Sequence, residues 1–342
     1  MTVGSNSETA PVPRPTLAWT LSCLLLAAFL ASQVARASVT LPTSLATANA
    51  DLQAGKADEA AALLSEALSS DPKDAEANNL LCRVEYTLQQ FDEAAANCEK
   101  AVHLSPENAR YHLWLGRTIG ERASRANFLS AFSLARKTRE EFETAVKLDS
   151  HDLDALSDLG EFYEEAPGAV GGGMDKAEEI ARQIDAVDAA RGHQFRATMA
   201  ERNKDLAVAE QEFKAAIPHA AHPAFQWMAL ASFYRRRERW PDMEAAVKSG
   251  EAAASHDKRA AVALVNGASI LARANRQPEY AIKLYENYLA SPDKTEEAPA
   301  FDALVKLAKL RKQTGDQAGA EREKAAALSL ASHYKPAEEL KL

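Results

Sequence analysis

The stretch GKADEAAALLSEALSSDP at residues 55–72 returns in altered form as QQFDEAAANCEKAVHLSP at residues 89–106, which is 34 residues further along the chain. Seven of the eighteen aligned positions are identical, and four of those seven are alanines. A period of this length is typical of arrays in which each unit buries its apolar face against the next unit. The recurrence therefore predicts a repeat protein.

The repeated residues predict two helices in each unit. Ala60 and Ala67 lie seven residues apart, on one face of one helix, where small side chains let a second helix approach closely. Pro72 and Pro106 follow that helix and end it, because proline cannot continue the backbone hydrogen-bond ladder. Gly55 marks the break between the two helices of the first unit.

This pattern resembles the tetratricopeptide repeat family, in which a Leu-Gly pair, an aromatic residue, alanines and a proline stand at fixed offsets. Leu115 and Gly116 match the Leu-Gly pair, as do Leu159 and Gly160. The resemblance implies an all-α fold, a right-handed superhelical solenoid of about eight helix pairs over residues 41–340. The last unit is expected to form a polar end cap, as such arrays need for solubility.

Two stretches interrupt the period. Residues 122–137 carry Phe128, Leu129, Phe132 and Leu134 at helical spacing, so we expect them to extend the third helix pair and to pack on the array. The glycine-rich insertion APGAVGGG, residues 166–173, lacks the Gly-Lys-Ser/Thr sequence and the preceding strand of a phosphate-binding loop. It is interpreted as a hinge or inserted loop, with an enzymatic or phosphate-binding site as the alternative.

The N-terminus has the pattern of an export signal. Residues 17–35 are apolar, and the small residues Ala35 and Ala37 flank Arg36, which predicts a signal peptide over residues 1–37 with cleavage after Ala37. Export to the periplasm or cell envelope follows. The alternative is an uncleaved anchor, because the apolar run is about long enough to span a bilayer and would associate with the membrane.

The rest of the sequence contains no clear catalytic or metal-binding motif. The net charge of −9 makes nucleic acid an unexpected partner. No Ser/His/Asp arrangement, CxxC pair or calcium loop is present in the sequence, so we expect no enzyme activity and no cofactor. His219 and His222 lie three residues apart without a third ligand nearby, which indicates a loop between repeats and no metal site.

The resemblance implies that the first helix of each pair lines a concave groove that binds a protein or peptide. Its positions alternate from basic to acidic to basic along the array, with Arg83, Arg110 and Arg117 as the expected anchors for a ligand of mixed charge. The groove candidates are Arg83, Tyr86, Arg110, Arg117, Asp154, Glu161, Glu164, Glu165, Arg191, Arg202, Phe225, Met228, Arg235 and Arg236. The family members that grip a carboxyl terminus use lysine and asparagine where this chain has Leu45 and Asn49, so that activity is not expected.

The resemblance also places Cys82 and Cys98 at two repeat positions that touch in this family. After loss of residues 1–37 they are the only cysteines, and an exported chain meets an oxidising compartment. A disulfide inside the second repeat is therefore one hypothesis, and two buried free thiols are the other. The sequence as a whole predicts an exported, non-catalytic binding scaffold, with an anchored envelope assembly factor as the alternative.

Overall fold

Helices joined by short connections occupy residues 44–342, which is the part of the chain that the computed structural model describes. Eight consecutive helix pairs and a short final helix occur in this part, which contains no strand, so the predicted all-α solenoid is confirmed. The first four pairs are α1 (44–54) with α2 (Ala57–Ser70), α3 (Ala75–Thr87) with α4 (Phe91–Leu104), α5 (Ala109–Arg125) with α6 (Phe128–Leu148), and α7 (Leu153–Glu165) with α8 (Met174–Val187). The last four are α9 (Ala189–Arg202) with α10 (Leu206–His219), α11 (Pro223–Arg236) with α12 (Trp240–Ala254), α13 (Ala261–Arg273) with α14 (Pro278–Ala290), and α15 (Ala300–Gln313) with α16 (Gln317–Leu330), before α17 (Lys335–Glu338).

Aspartate or asparagine side chains begin seven of these helices. Asp74 accepts a hydrogen bond from the backbone N–H of Ala77 at 3.0 Å, and Asp152 accepts one from Ala155 at 3.2 Å. Each cap satisfies an N–H group that has no partner inside the helix. The other capping residues are Asn108, Asn127, Asp188, Asp205 and Asp316. Short polar residues in the connections thus fix where the helices start.

Small residues set the distance between the two helices of a pair. Ala60 and Ala94 are fully buried at their repeat positions. A Cβ atom added to Gly116 in α5 would lie 2.5 Å from the ring of Phe142 in α6, which is closer than such contacts allow. The Leu-Gly position of the repeat is therefore small because an aromatic ring of the neighbouring helix lies directly against it.

The first and last repeats share one hydrophobic core, so the array closes on itself. We call this contact the closing interface, formed by residues 45–88 and 300–340. Phe301 and Tyr334 lie at its centre with ring centroids 4.8 Å apart, and the backbone N–H of Ser332 donates to Asp58 at 2.8 Å. The expectation of a polar end cap was wrong, because the apolar face of the last repeat is covered by the first repeat.

The insertion of residues 122–137 lengthens the third pair. Helix α5 has 17 residues and α6 has 21, and the added turns form a hairpin tip. Phe128 is 85% exposed and Leu129 is 81% exposed, whereas Leu134 packs against the core of the second and third pairs. Residues 122–137 thus extend the two helices of the third pair. The expectation that they pack on the array was wrong for the tip, because the longer helices extend beyond the neighbouring helices.

The glycine-rich insertion is an inserted loop held by backbone hydrogen bonds. The N–H groups of Gly171, Gly172 and Gly173 donate to carbonyl oxygens at Gly168, Pro167 and Tyr163, respectively, at 2.9–3.2 Å. Those three amides are therefore already paired with carbonyl oxygens of the loop and of α7. Two carbonyl oxygens of the loop accept hydrogen bonds from basic side chains. Arg139 donates to the carbonyl oxygen of Val170 at 3.0 Å, and Lys176 donates to that of Gly171 at 2.9 Å.

Residues 1–43 lie outside the described residues, so the predicted signal peptide and its alternative, the anchor, remain predictions. Among the helices that the structure does describe, none combines the length and the apolar character needed to cross a membrane.

Candidate functional site

The inner face of the array encloses a cavity of about 1140 Å³. Its walls come from the first helices of the fourth, fifth and sixth pairs, which are α7, α9 and α11, and from the connection at residues 291–299. Phe225 and Arg191 are among the lining residues, as the sequence analysis expected. The concave face of this solenoid therefore contains a recess of the size that accepts a small molecule or a few residues of a peptide.

Ion pairs between successive first helices cover much of the concave face. Their partners are 34 to 41 residues apart, about one repeat, so each pair joins one repeat to the next. The pairs and their N–O distances are Arg110–Glu76 at 2.5 Å, Arg117–Asp158 at 2.5 Å, Arg191–Asp154 at 2.9 Å, Arg202–Glu164 at 2.8 Å, Arg202–Glu165 at 2.7 Å and Arg236–Glu201 at 2.6 Å. The alternating charges that the sequence shows are thus largely neutralised within the chain.

Arg83 binds a segment of the chain itself. Its guanidinium contacts both carboxylate oxygens of Glu296, at 2.9 and 2.5 Å, and its side chain is 7% exposed. Gln53 contacts the same residue twice, since its side-chain N–H₂ donates to the Glu296 carboxylate at 3.1 Å and its carbonyl oxygen accepts from the Glu296 backbone N–H at 3.2 Å. All three expected anchors, Arg83, Arg110 and Arg117, are therefore occupied by carboxylates of the protein.

The ring of Trp114 lies beside two of these arginines. The guanidinium carbon of Arg117 lies 5.0 Å from the ring centroid of Trp114, and that of Arg83 lies 5.4 Å from it. Tyr86 meets Trp114 edge-on at 5.5 Å, and burial raises the pKa of its hydroxyl to about 12. Tyr86 therefore supports the concave face of the second repeat as a packed neutral side chain.

One groove candidate lies in the core. Met228 is 2% exposed, and its side chain fills the space beside Gly250 and Gly267, where an added Cβ would come within 2.5 and 3.0 Å of its methyl group. The prediction that Met228 faces a ligand was wrong, because this face of α11 turns towards α12 and α13.

Several polar groups of the cavity have no partner. Gln226 is 8% exposed, and its side-chain oxygen accepts no hydrogen bond within the described part of the chain. Glu161 and Glu297 line the same cavity without forming an ion pair there. Burial, reinforced by the carboxylates of Glu165 for Glu161 and of Asp154 for Glu297, raises the pKa of both side chains. These groups would gain from a ligand that donates hydrogen bonds and carries positive charge.

Unpaired basic groups occur as well. Arg259 lines the cavity, and its side chain forms no ion pair with any residue between 44 and 342. Arg235 also has no carboxylate partner in that range, and burial together with the positive charges of Arg236 and Arg273 lowers its pKa. The cavity and its surroundings thus keep free charges of both signs.

The two histidines of the His-Ala-Ala-His stretch have separate partners. Nδ1 of His222 bonds to the carboxylate of Asp257, whereas the ring of His219 stacks on His193 with centroids 5.3 Å apart. Over the described residues, no three histidine, cysteine, aspartate or glutamate side chains come together as metal ligands.

A disulfide joins the two helices of the second repeat. Cys82 in α3 and Cys98 in α4 are bonded, with Cα atoms 5.3 Å apart, and both are fully buried. That Cα separation lies within the range that a disulfide requires.

Sequence reasoning missed Glu296 and the closing interface. The one signal available was the length of the connection SPDKTEEAP at residues 291–299, which exceeds the two- to four-residue connections common elsewhere in the array. Nothing in its local pattern indicated that it would cross the concave face.

Comparisons with known proteins give one family match and several similar solved structures. A tetratricopeptide repeat family model matches residues 45–109 and 82–118, and no curated protein matches the chain. Among solved structures, a thermophilic TPR protein from Thermus thermophilus is 19% identical, with a TM-score of 0.48 over 56% of this chain and 98% of that chain. MamA is 21% identical, with a TM-score of 0.38 over 48% of this chain and 88% of that chain. A chain of the APC/C hetero-tetramer Cut9-Hcn1 is 12% identical, with a TM-score of 0.39 over 86% of this chain and 54% of that chain.

At these identities the likeness to solved structures concerns the fold alone. The assignment therefore depends on the family match within residues 45–118 and on the helix pairs, which continue with the same design as far as α16. Residues 45–118 match the tetratricopeptide repeat family, and the described part of the chain as a whole has the all-α fold of a repeat solenoid.

Proposed function

We propose that this chain is a non-catalytic scaffold, exported to the periplasm or cell envelope, that holds an extended peptide segment of a protein partner on its concave face. The observation that carries the proposal is the way the face binds residues 291–299 of the chain itself. Gln53 forms hydrogen bonds with both the backbone and the side chain of Glu296, and Arg83 donates to both oxygens of the Glu296 carboxylate. Backbone contacts of this kind recognise extended segments, and side-chain contacts add specificity.

The free part of the cavity favours a segment of mixed charge. The carboxylates of Glu161 and Glu297 favour a lysine or arginine of the ligand, and the unpaired oxygen of Gln226 favours a backbone N–H. Arg259 favours an acidic residue elsewhere in the same segment. Each of these contacts would satisfy a group that has no partner among residues 44–342, which makes it more valuable than replacing an existing ion pair.

Labelled octapeptides that place one lysine and one glutamate at varied spacing test this function by fluorescence polarisation. Binding to the wild-type chain is expected to weaken about tenfold or more, or 1.4 kcal/mol, when Glu161→Gln and Glu297→Gln are combined. Glu178→Gln is the matched control, because that residue is exposed on α8 and does not line the cavity. Equal binding by all three proteins, or no binding by any peptide, would contradict the proposal.

Export has its own test. N-terminal sequencing of the protein recovered from the cell envelope is expected to start at Ser38, after loss of residues 1–37. Recovery of Met1 in washed membranes would instead support the second candidate, an envelope assembly factor anchored through the apolar run of residues 17–35.

A further inference from the structure

The hairpin tip carries the most exposed apolar side chains of the described structure. Phe128 and Leu129 are 85% and 81% exposed, and Phe132 on the next turn of α6 is 39% exposed. The other large apolar residues with substantial exposure in residues 44–342 are Val187, Leu206 and Val208, at 39%, 38% and 42%. Two nearly bare side chains at one helix end are a concentrated apolar surface that folding of this chain does not cover.

The same hairpin also presents basic side chains. Residues 122–139 contain five arginine or lysine residues and no aspartate or glutamate, although the chain as a whole is acidic. Three of the five are paired with carboxylates of neighbouring segments, as Arg122–Asp92, Lys137–Glu99 and Arg139–Glu143. The other two are exposed, since Arg136 forms no ion pair within the described part of the chain and Arg125 pairs with Glu121 only at 3.5 Å. An apolar tip flanked by Arg125 and Arg136 is complementary to an anionic lipid surface, into which apolar groups insert while cations bind headgroups.

The size of the tip argues against a protein as its occupant. A stable protein interface buries about 800 Å² on each partner. Three side chains at the end of one hairpin supply only a fraction of such an area, and they protrude where an interface core would be flat or recessed. A bilayer needs no matching shape, so a few inserted side chains are sufficient for contact.

We propose that the hairpin tip inserts Phe128, Leu129 and Phe132 into the interfacial layer of an anionic membrane. Arg125 and Arg136 then lie at the level of the lipid headgroups, and the long helices α5 and α6 hold the rest of the array away from the lipid. The contact is independent of residues 17–35, and it orients the array with one edge towards the bilayer.

Flotation with vesicles of phosphatidylcholine containing phosphatidylglycerol tests the proposal on the full chain. The variant Phe128→Ser/Leu129→Ser/Phe132→Ser is expected to lose at least tenfold in vesicle partitioning. The control Leu206→Ser/Val208→Ser removes apolar groups of moderate exposure from α10 and is expected to bind as the wild type does. Equal partitioning of wild type and tip variant, or a wild type that needs no anionic lipid, would overturn the proposal.

Quenching of tryptophan fluorescence reports on insertion of the tip even if residues 17–35 alone bind the chain to the vesicle. Tryptophan introduced as Phe128→Trp is expected to be quenched by brominated lipids at least twofold more than tryptophan introduced as Leu206→Trp, since natural tryptophans contribute equally to both. Equal quenching would overturn the proposal. So would a concentration-dependent dimer that the tip variant abolishes while lipid quenching is absent, because the tip would then contact a second copy.

Discussion

The closing interface and the hairpin tip are built from the same kind of helix pair, yet they place their aromatic residues in opposite environments. Phe301 and Tyr334 are each 1% exposed, whereas Phe128 is 85% exposed. Both regions show apolar residues at helical spacing, so their sequences predict the same local structure. The difference arises from position in the array, since the first repeat covers the last one and nothing within residues 44–342 covers the tip.

The largest expected effect comes from removing an aromatic ring at the closing interface. Phe301→Ala should lower the free energy of unfolding by about 3–5 kcal/mol, because it removes buried apolar surface and leaves a cavity between two repeats. Phe128→Ala should change it by less than about 0.5 kcal/mol, because an exposed side chain loses no packing. Urea titration followed by circular dichroism measures both, and similar losses would mean that the interface does not close in solution.

Arg83→Ala is expected to cost about 3 kcal/mol, because it leaves Glu296 with a largely buried, unpaired charge at the edge of the closing interface. Arg122→Ala breaks a pair at the base of the hairpin tip whose partner Asp92 has an 82% exposed side chain, so its cost should stay below about 1 kcal/mol. The combined variant Arg83→Met/Glu296→Leu should recover most of the loss. If urea titration shows that Arg83→Ala and Arg122→Ala lower the free energy of unfolding equally, burial of the Arg83–Glu296 pair does not matter for stability.

The disulfide joins the two helices of the second repeat, which lies next to the third helix pair and its hairpin tip. Cys82 and Cys98 are separated by 16 residues, and a loop of that length corresponds to about 3 kcal/mol of stability in the chain-entropy model. If residues 1–37 are removed as proposed, and Cys23 with them, thiol titration of the protein denatured without reductant should find no free thiol. Two free thiols in that assay would show that the cysteines are only packed together.

Glu85 gives a smaller, pH-dependent effect in the same repeat. Burial raises its pKa from 4.5 to about 7 despite hydrogen bonds from Asn97, so the folded chain binds a proton here more tightly than the unfolded chain does. Its stabilising contribution is complete below pH 4.5 and is lost as the pH rises through about 7. Glu85→Gln should therefore reduce the fall in stability between pH 4.5 and 7, measured by urea titration at several pH values. A wild type and variant with parallel pH profiles would contradict this.

Local sequence was sufficient for the repeats and insufficient for contacts between distant ones. The period of 34 residues, the alanines at Ala60 and Ala94 and the residue pair Leu115 and Gly116 predicted helix pairs, because these signals act within one repeat or between neighbours. The contact between Phe301 and the first repeat depends on small rotations accumulated over eight repeats, which no single repeat encodes.

The groove candidates show the same limit. Residues such as Arg117 and Arg202 were correctly placed on first helices, but their carboxylate partners, Asp158 and Glu164, stand about one repeat away and were counted as free ligand sites or left out. Glu296 lies in a connection without repeat character. The exposure of Phe128 was missed because helical spacing shows which face is apolar and not whether another element covers it.

A closed array has no free end repeat, and this changes how its first and last repeats are held in place. In an open solenoid, each repeat contacts only its neighbours, so a terminal repeat is held from one side alone. Here the first and last repeats hold one another through Phe301 and its neighbours, so each of them is held from both sides. Separation of this one contact would therefore leave two repeats, at opposite ends of the sequence, held from one side only.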